Sequence, residues 1–447
     1  MTIKRFLLLA VLFMALPVNA NQEFMNFEYW NKYNDEILNE HLRTLYSNNH
    51  DLKIATYKTK QAQENIRLVG ANQLPQAYFN PEIMRNFKGS THRFGDVEIP
   101  QYTQTNILLP IEASYEIDIW GQNYLSKKAA KKQKEMALED EKAAYIYITS
   151  NFASTYFNLI KADATEKITK KIVETQKEIV RLTEKKYNNG LCSKNELLNE
   201  KQILIENEEI LNKVKENKKV LNNQLISLLG ENSDVEIAHS CIDKITYPQT
   251  PDSISATAIQ YRPDLKKSEF YAQKVGIDVQ VAKREFLPKF ILYGNIGFNA
   301  YNRGSFFSGD TFLANLGILP KWDIFSGGVK LARYRINKYE YKKAGEIYQQ
   351  TVLNSLQELN NALVQTKTTK ANLKKSEECT NIEKEKNILA NKEYNIGNAS
   401  KLDKMKSDIS LMIEEQKHIS YRIDNIISTI TLYNAIGGKD YTKIDVL

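Results

Sequence analysis

Between Asn123 and Lys186 the chain contains neither proline nor glycine, the two residues that most readily punctuate a helix. At 1.5 Å per residue, an unbroken helix over that stretch is roughly 100 Å long, several times an ordinary globular helix. A tight break is expected at Tyr187-Asn188-Asn189-Gly190-Leu191, followed by a second long helix running back to Leu229. Apolar residues recur at seven-residue steps. Val173 and Val180, with Ile172 and Ile179 beside them, mark the outgoing arm; Leu197, Leu204 and Leu211, then Val214, Leu221 and Leu228, mark the return. Lys, Glu and Asn fill most positions between, the pattern of a coiled-coil-like seam with wet outer faces. A plain solvated coiled coil would satisfy these residues taken alone.

The 447 residues include only 18 Gly and 10 Pro, in keeping with a largely helical molecule. The net charge of +7 is spread over 61 basic and 54 acidic residues. No basic patch with interleaved aromatics suggests nucleic acid as a partner. Lys4 and Arg5 precede the apolar run Phe6 to Leu16, and Val18-Asn19-Ala20 offers a small-residue cleavage site. That order is a secretory signal peptide, with cleavage expected after Ala20. No later segment approaches 18 consecutive apolar residues, so a place in a membrane would have to be taken as a β-barrel. Cys192, Cys241 and Cys379 are far apart and show no metal-ligand spacing. Filling of small gaps is the expected role for each.

Four phrases occur twice. Asp51-Leu52 to Leu74-Pro75 returns as Asp264-Leu265 to Leu287-Pro288, with Asp and Pro 24 residues apart in both copies. Ile117-Asp118-Ile119-Trp120-Gly121 returns as Trp322-Asp323-Ile324-Phe325-Ser326-Gly327, Tyr187-Asn188-Asn189-Gly190 as Tyr394-Asn395-Ile396-Gly397, and Leu228-Leu229-Gly230 as Ala435-Ile436-Gly437. The lags of 213, 205, 207 and 207 residues are collinear and indicate an internal duplication. The expected division is a signal peptide (1–20), a first repeat (21–230), a connector (231–256), a second repeat (257–437) and a tail (438–447). Each repeat reads helix, proline, strand pair, long helix, glycine turn, helix. The first helical region is expected over about Asn31 to Gln73.

The strands alternate with a period of two. Ala113, Tyr115, Ile117 and Ile119 oppose Glu112, Ser114, Glu116 and Asp118. Phe290, Leu292, Gly294, Ile296 and Phe298 share one parity, as do Phe312, Ala314, Leu316, Ile318, Pro320, Trp322 and Ile324. Loops are expected at about 80–102 and at 299–310, the latter with Gly304 and Gly309. One-sided apolar segments of about ten residues suit membrane barrel strands, although a soluble sheet in a periplasmic protein is the ordinary alternative. Four strands cannot close a barrel, for which about eight is the practical minimum, so two or three chains would have to share one.

The chain resembles the TolC-type outer-membrane efflux proteins over nearly its whole mature length. The resemblance lies in Ser114-Tyr115-Glu116-Ile117-Asp118-Ile119-Trp120-Gly121, Tyr261-Arg262-Pro263-Asp264-Leu265, Trp322-Asp323-Ile324-Phe325-Ser326-Gly327-Gly328 and the two Tyr-Asn-x-Gly turns. It implies a mixed, mainly α fold, in which a homotrimer forms one twelve-stranded transmembrane β-barrel continuous with a long periplasmic α-helical barrel. It also implies a Gram-negative outer membrane, a periplasmic adaptor and an inner-membrane pump as partners. Position by position, Asp403 matches a carboxylate facing the pore, Glu196 the acidic partner on the other hairpin, and Tyr394 a tyrosine that latches the closed state. Two residues depart from the pattern: Lys406 stands where a second pore carboxylate is expected, and Ala399 where a basic latch residue is expected. Asn189, Gly190, Leu191, Ile396, Gly397 and Asn398 are the expected adaptor contacts. The residues themselves leave another reading open, in which Glu196 and Asp403 are first-turn carboxylates complementing helix N-termini and the tips only make turns.

No H-E-x-x-H, Cys/His cluster, Walker loop or G-x-S-x-G elbow is present, so neither an enzyme, a cofactor nor a metal site is expected. The expectation is a passive exit duct for efflux or secretion. The alternative is a pore-free periplasmic coiled-coil scaffold or an adaptor.

Overall fold

Two helices of 67 residues each, α4 (Gln122–Asn188) and α7 (Val329–Asn395), run through the computed structural model, which describes residues 24–99, 101–232, 235–251, 253–301 and 307–443. The leader and its cleavage after Ala20 lie outside the described residues, as does Gly304. Each long helix returns through a shorter one, α5 (Lys194–Leu229) and α8 (Lys401–Ala435). The order helix, strands, long helix, return helix therefore occurs twice. Among the described residues no helix is long and apolar enough to cross a membrane.

The compact bodies do not coincide with the repeats. One gathers residues 24–58, 139–266 and 351–443; the other gathers 59–138 and 267–350. Each therefore draws on both halves of the chain.

The first body is helical around an aromatic core. It contains α1 (Phe27–Trp30), α2 (Glu36–Asn48) and the beginning of α3 (His50–Gly70). The helical region expected over 31–73 is thus interrupted at Asn49, whose side-chain oxygen accepts from Leu52 N at 3.0 Å. Tyr29, Trp30, Tyr33, Phe152, Tyr156, Phe157, Tyr433 and Tyr441 are buried together, and Tyr29 stacks on Tyr433 at 4.1 Å. Full burial of one such ring is worth about 1.5–3 kcal/mol, which makes this cluster the main anchor of the body. The connector packs here as well, through Ile237, Ile242, Ile245 and Ile254. Asp35 ties it down: one carboxylate caps α2 at Leu38 N (3.0 Å) and also accepts from Tyr156 Oη (2.9 Å) and Ser240 Oγ (2.8 Å).

The second body carries the sheet. β1 (Gln76–Phe79) and β2 (Glu82–Lys88) both pair antiparallel with β5 (Tyr102–Ile117), which pairs with β6 (Lys289–Tyr301), which pairs with β7 (Phe312–Lys321). Two short strands, β3 (His92–Phe94) and β4 (Val97–Ile99), make a separate hairpin. The 80–102 segment is therefore not the loop expected: Glu82 to Lys88 extends the sheet along β5 because that strand runs to Tyr102. The other ends also differ from expectation. β5 stops at Ile117, since Asp118 turns to cap α4, accepting from Asn123 N (3.1 Å) and Tyr124 N (2.8 Å). β7 stops at Lys321, so Trp322 and Ile324 lie beyond it. Trp120 and Trp322 instead send their indole N–H groups to the segment joining α6 (Pro263–Arg284) and β6, at Pro288 O (2.7 Å) and Phe286 O (3.0 Å).

Register puts the apolar parity on one face. Ile111, Ile296 and Ala314 form one cross-strand row, with Ala113, Gly294 and Leu316 next and Tyr115, Leu292 and Ile318 after that. The opposite face carries Glu112, Glu116, Asn295 and Asn315; Lys289 Nζ meets Glu116 at 3.1 Å, and Asn315 donates to Asn295 at 2.9 Å. Much of the apolar face is exposed, Leu316 by 81% and Ile318 by 61%. The outer edges of the sheet, on β1, β2 and β7, have no strand partner among the described residues. The three cysteines are free. Cys241 and Cys379 are exposed and fill no gap, because neither position falls on a packed helix face; Cys192 is half-buried.

Candidate gate and docking site

Both helical hairpins reverse by the same local chemistry. At the first, Gly190 takes φ = +70°, Gly190 N donates to Tyr187 O (2.9 Å) and Leu191 N to Lys186 O (2.8 Å). At the second, Gly397 takes φ = +83°, Gly397 N donates to Tyr394 O (3.1 Å) and Asn398 N to Glu393 O (2.9 Å). These bonds satisfy the last carbonyls of α4 and α7 through a left-handed residue that glycine adopts without strain. A serine then opens each return helix: Ser193 Oγ accepts from Glu196 N, and Ser400 Oγ from Asp403 N.

Asp403 is exposed and closes a capping box, its carboxylate accepting from Ser400 N (3.0 Å) and Ser400 Oγ (2.6 Å). Those two bonds hold its carboxyl below the usual aspartate value. Glu196 is exposed in the first turn of α5. The Tyr394 ring lies 5.4 Å from the ammonium of Lys404. Lys406 forms an ion pair with Glu200 at 2.7 Å. Asn189, Gly190, Leu191, Ile396, Gly397 and Asn398 are all exposed, Leu191 and Ile396 by 74% and 71%.

Two ionic links that the sequence reading passed over, and an apolar contact that includes the seam residue Ile179, join the hairpins. Glu200 is buried on α5, accepts from Gln176 Nε2 of α4 (2.8 Å) and receives Lys406 from α8. Glu178 of α4 meets Arg181 (2.6 Å) and Lys401 of α8 (3.2 Å), which pull its carboxyl down to about 2. Ile179, Leu402 and Met405 pack together between these links. A signal for Glu200 was present: it falls three residues after Leu197 and four before Leu204, a seam position, where a charge requires a partner. Lys218 is a second seam charge, and it meets Asp163 (2.8 Å) and Glu166 (3.2 Å) of α4. Among the described residues no group of His, Cys, Asp or Glu is arranged to hold a metal ion.

The family model described as "Outer membrane efflux protein" matches residues 42–231 and 254–438. The chain is 20% identical over 413 residues to the pyoverdine export outer membrane protein OpmQ of Pseudomonas putida, covering 92% of this chain and 87% of that one. It is 23% identical over 425 residues to the cation efflux system protein CusC of Escherichia coli O157:H7, covering 94% and 90%. Among solved structures, the CmeC outer membrane channel of Campylobacter jejuni superposes with a TM-score of 0.83 at 24% identity, covering 94% of this chain and 90% of that one. A duplicated, mainly helical chain with a one-sided sheet and two glycine-turned hairpins, matched over most of its length by the family model, belongs to the outer membrane efflux protein family, whose members are channels and not enzymes.

Proposed function

We infer that three copies of this chain close one twelve-stranded barrel and serve as the exit duct of a tripartite efflux system. Substrate arrives from a periplasmic adaptor and an inner-membrane pump. The observation that carries the reading is the sheet. It is four strands wide, with β1 and β2 following one another along one edge of β5 and β6 and β7 on the other side, it is apolar on one face, and its outer edges lack strand partners among the described residues. Unpaired edges are not tolerated in lipid, and edge-to-edge joining of copies removes them. The duct is passive, and the hairpin tips form its gate. Asp403 and Glu196 face the pore, and Tyr394, on α7, belongs to the latch. Lys406 takes the ionic role left open by Ala399, by clamping α8 to the buried Glu200 of α5. The relatives' names span pyoverdine and cations, in keeping with a duct that does not itself choose its cargo. The mature chain begins at Asn21.

The test is planar-bilayer conductance of detergent-purified protein, with its mass measured in the same detergent. Small cation-preferring channels from a trimer are expected. A monomer without conductance would overturn the duct.

A further inference from the structure

Register assigns each paired strand residue to one face of the sheet, and among the described residues Arg85 alone puts a charge on the apolar face. Phe79 of β1 lies opposite Ile111, Ile83 of β2 opposite Ile107, and Arg85 opposite Thr105, all on the apolar parity of β5. Glu82, Glu112, Glu116, Lys289 and Lys321 fall on the polar face. Arg85 is exposed, its guanidinium lies 5.0 Å from the centre of the Phe87 ring, and it forms no hydrogen bond or ion pair among the described residues.

Depth explains how a charge is tolerated there. The Ile117 end of β5 leads into α4 and marks the periplasmic side, so the Tyr102 end lies towards the outside. Thr105 stands twelve residues from Ile117 along the strand. At about 3.4 Å per residue and a tilt of about 40°, that is roughly 31 Å along the membrane normal, beyond an apolar band of about 25 Å. The side chains change at the same height: Ile111, Leu109 and Ile107 give way to Thr105 and Thr103 on that face of β5. An arginine facing lipid is costly at mid-bilayer and nearly free at the boundary. Arg85 therefore stands at the level of the outer headgroups. Joining of copies along β2 engages the backbone edge of that strand and leaves its faces free.

We propose that Arg85, backed by Phe87 and with Thr105 beside it, binds the phosphate of a lipid in the outer leaflet, at one site per chain. The proposal rests on the exit-duct reading, which sets the sheet in the membrane. A guanidinium presents a planar fork of N–H donors that matches two phosphate oxygens. Ile83, the neighbouring residue of that face of β2 and 73% exposed, offers apolar surface to the acyl chains below. The Phe87 ring restrains the guanidinium, and the Thr105 hydroxyl, across the strand pair, supplies a further donor.

The test mixes the full-length protein in detergent with bisphosphorylated lipid A or its dephosphorylated form and counts bound lipid by native mass spectrometry. The phosphorylated lipid is expected to bind about fivefold tighter or more, and excess inorganic phosphate is expected not to displace it. Arg85→Gln is expected to lose that margin, and Arg85→Lys, which keeps the charge without the fork, to retain only part of it. Should Arg85→Gln fail to assemble, Arg85→Lys alone carries the same sign. Equal binding of the two lipids, an unchanged margin in the variants, or displacement by inorganic phosphate would overturn the proposal. Conductance of the same wild-type preparation keeps the two readings apart. Conducting channels indifferent to the phosphate sink the lipid site alone, whereas a preparation without channels sinks the duct and the site with it.

Discussion

Arg262 shows how a residue that carries a family resemblance can be wholly structural. Its side chain is nearly buried and binds Asp264 (2.7 Å), Glu358 (2.6 Å) and the carbonyl of Ala435 (2.9 Å), joining the start of α6 to α7 and to the end of α8. The terminal turn leaves no space there, since a Cβ on Gly437 would lie 2.6 Å from Arg262 Cα. Arg262→Ala removes one cation from three acceptors, two of which stay partly exposed, and should cost about 2 kcal/mol, read as a lower thermal midpoint by circular dichroism. Asp403 belongs to the opposite class. It is exposed, so Asp403→Ala should cost about 1 kcal/mol through the lost capping box and raise or alter single-channel conductance while weakening block by divalent cations. Unchanged single-channel behaviour would remove Asp403 from the pore. The role of Arg262 was not legible beforehand, because its three partners lie 2, 96 and 173 residues away.

Among the elements, the seams of the long helices were readable and their polar interruptions were not. Leu197 is buried, and Leu204, Leu211, Val214, Leu221 and Leu228 are half-buried along α5, as seven-residue recurrence predicts. Glu200 and Lys218 break that apolar row, and each is answered from another helix, which fixes the register of the pair. Asp163 and Glu166, opposite Lys218, titrate below their usual values. For Asp163, burial pushes upward but is outweighed by Lys167 and Lys218; for Glu166, Lys170 leads and Lys218 adds to it. The sign follows: carboxyls depressed in the folded chain stabilise it fully above the ordinary carboxylate range near about 4 and lose that contribution as pH falls through their folded values. Lys218→Met should therefore lower the thermal midpoint at pH 7, at a cost of about 2 kcal/mol, and flatten its decline between pH 5 and 3. An unaltered acid profile would show that the cluster is not coupled to stability.

For the whole molecule the question is which face of the sheet meets lipid. Leu316 and Asn315 are neighbours on β7 but point to opposite faces. Leu316→Arg should cost about 2–4 kcal/mol on the lipid side and reduce the protein recovered from carbonate-washed membranes. Asn315→Arg should insert normally and shift ion selectivity. Equal behaviour of the two variants would mean that the sheet is not a barrel wall. At the tips, Leu191→Asp should impair export in cells although trimers still assemble, and normal export would remove the tip from docking.

Sequence alone was enough for the features that neighbouring residues impose on one another. The absence of Pro and Gly over 123–186, the alternation along Phe290 to Phe298 and the paired glycine turns follow from backbone propensity and periodicity, which act over a few residues. The duplication followed as well, because repetition is itself a property of sequence. The three-dimensional packing supplied the rest. It brought Asp35, Tyr156 and Ser240 to one point, buried Tyr441 of the tail against Tyr29, and set Lys406 on Glu200. Such pairings depend on which helix faces meet, a choice made by burial and charge compensation across hundreds of residues, and no local pattern encodes it.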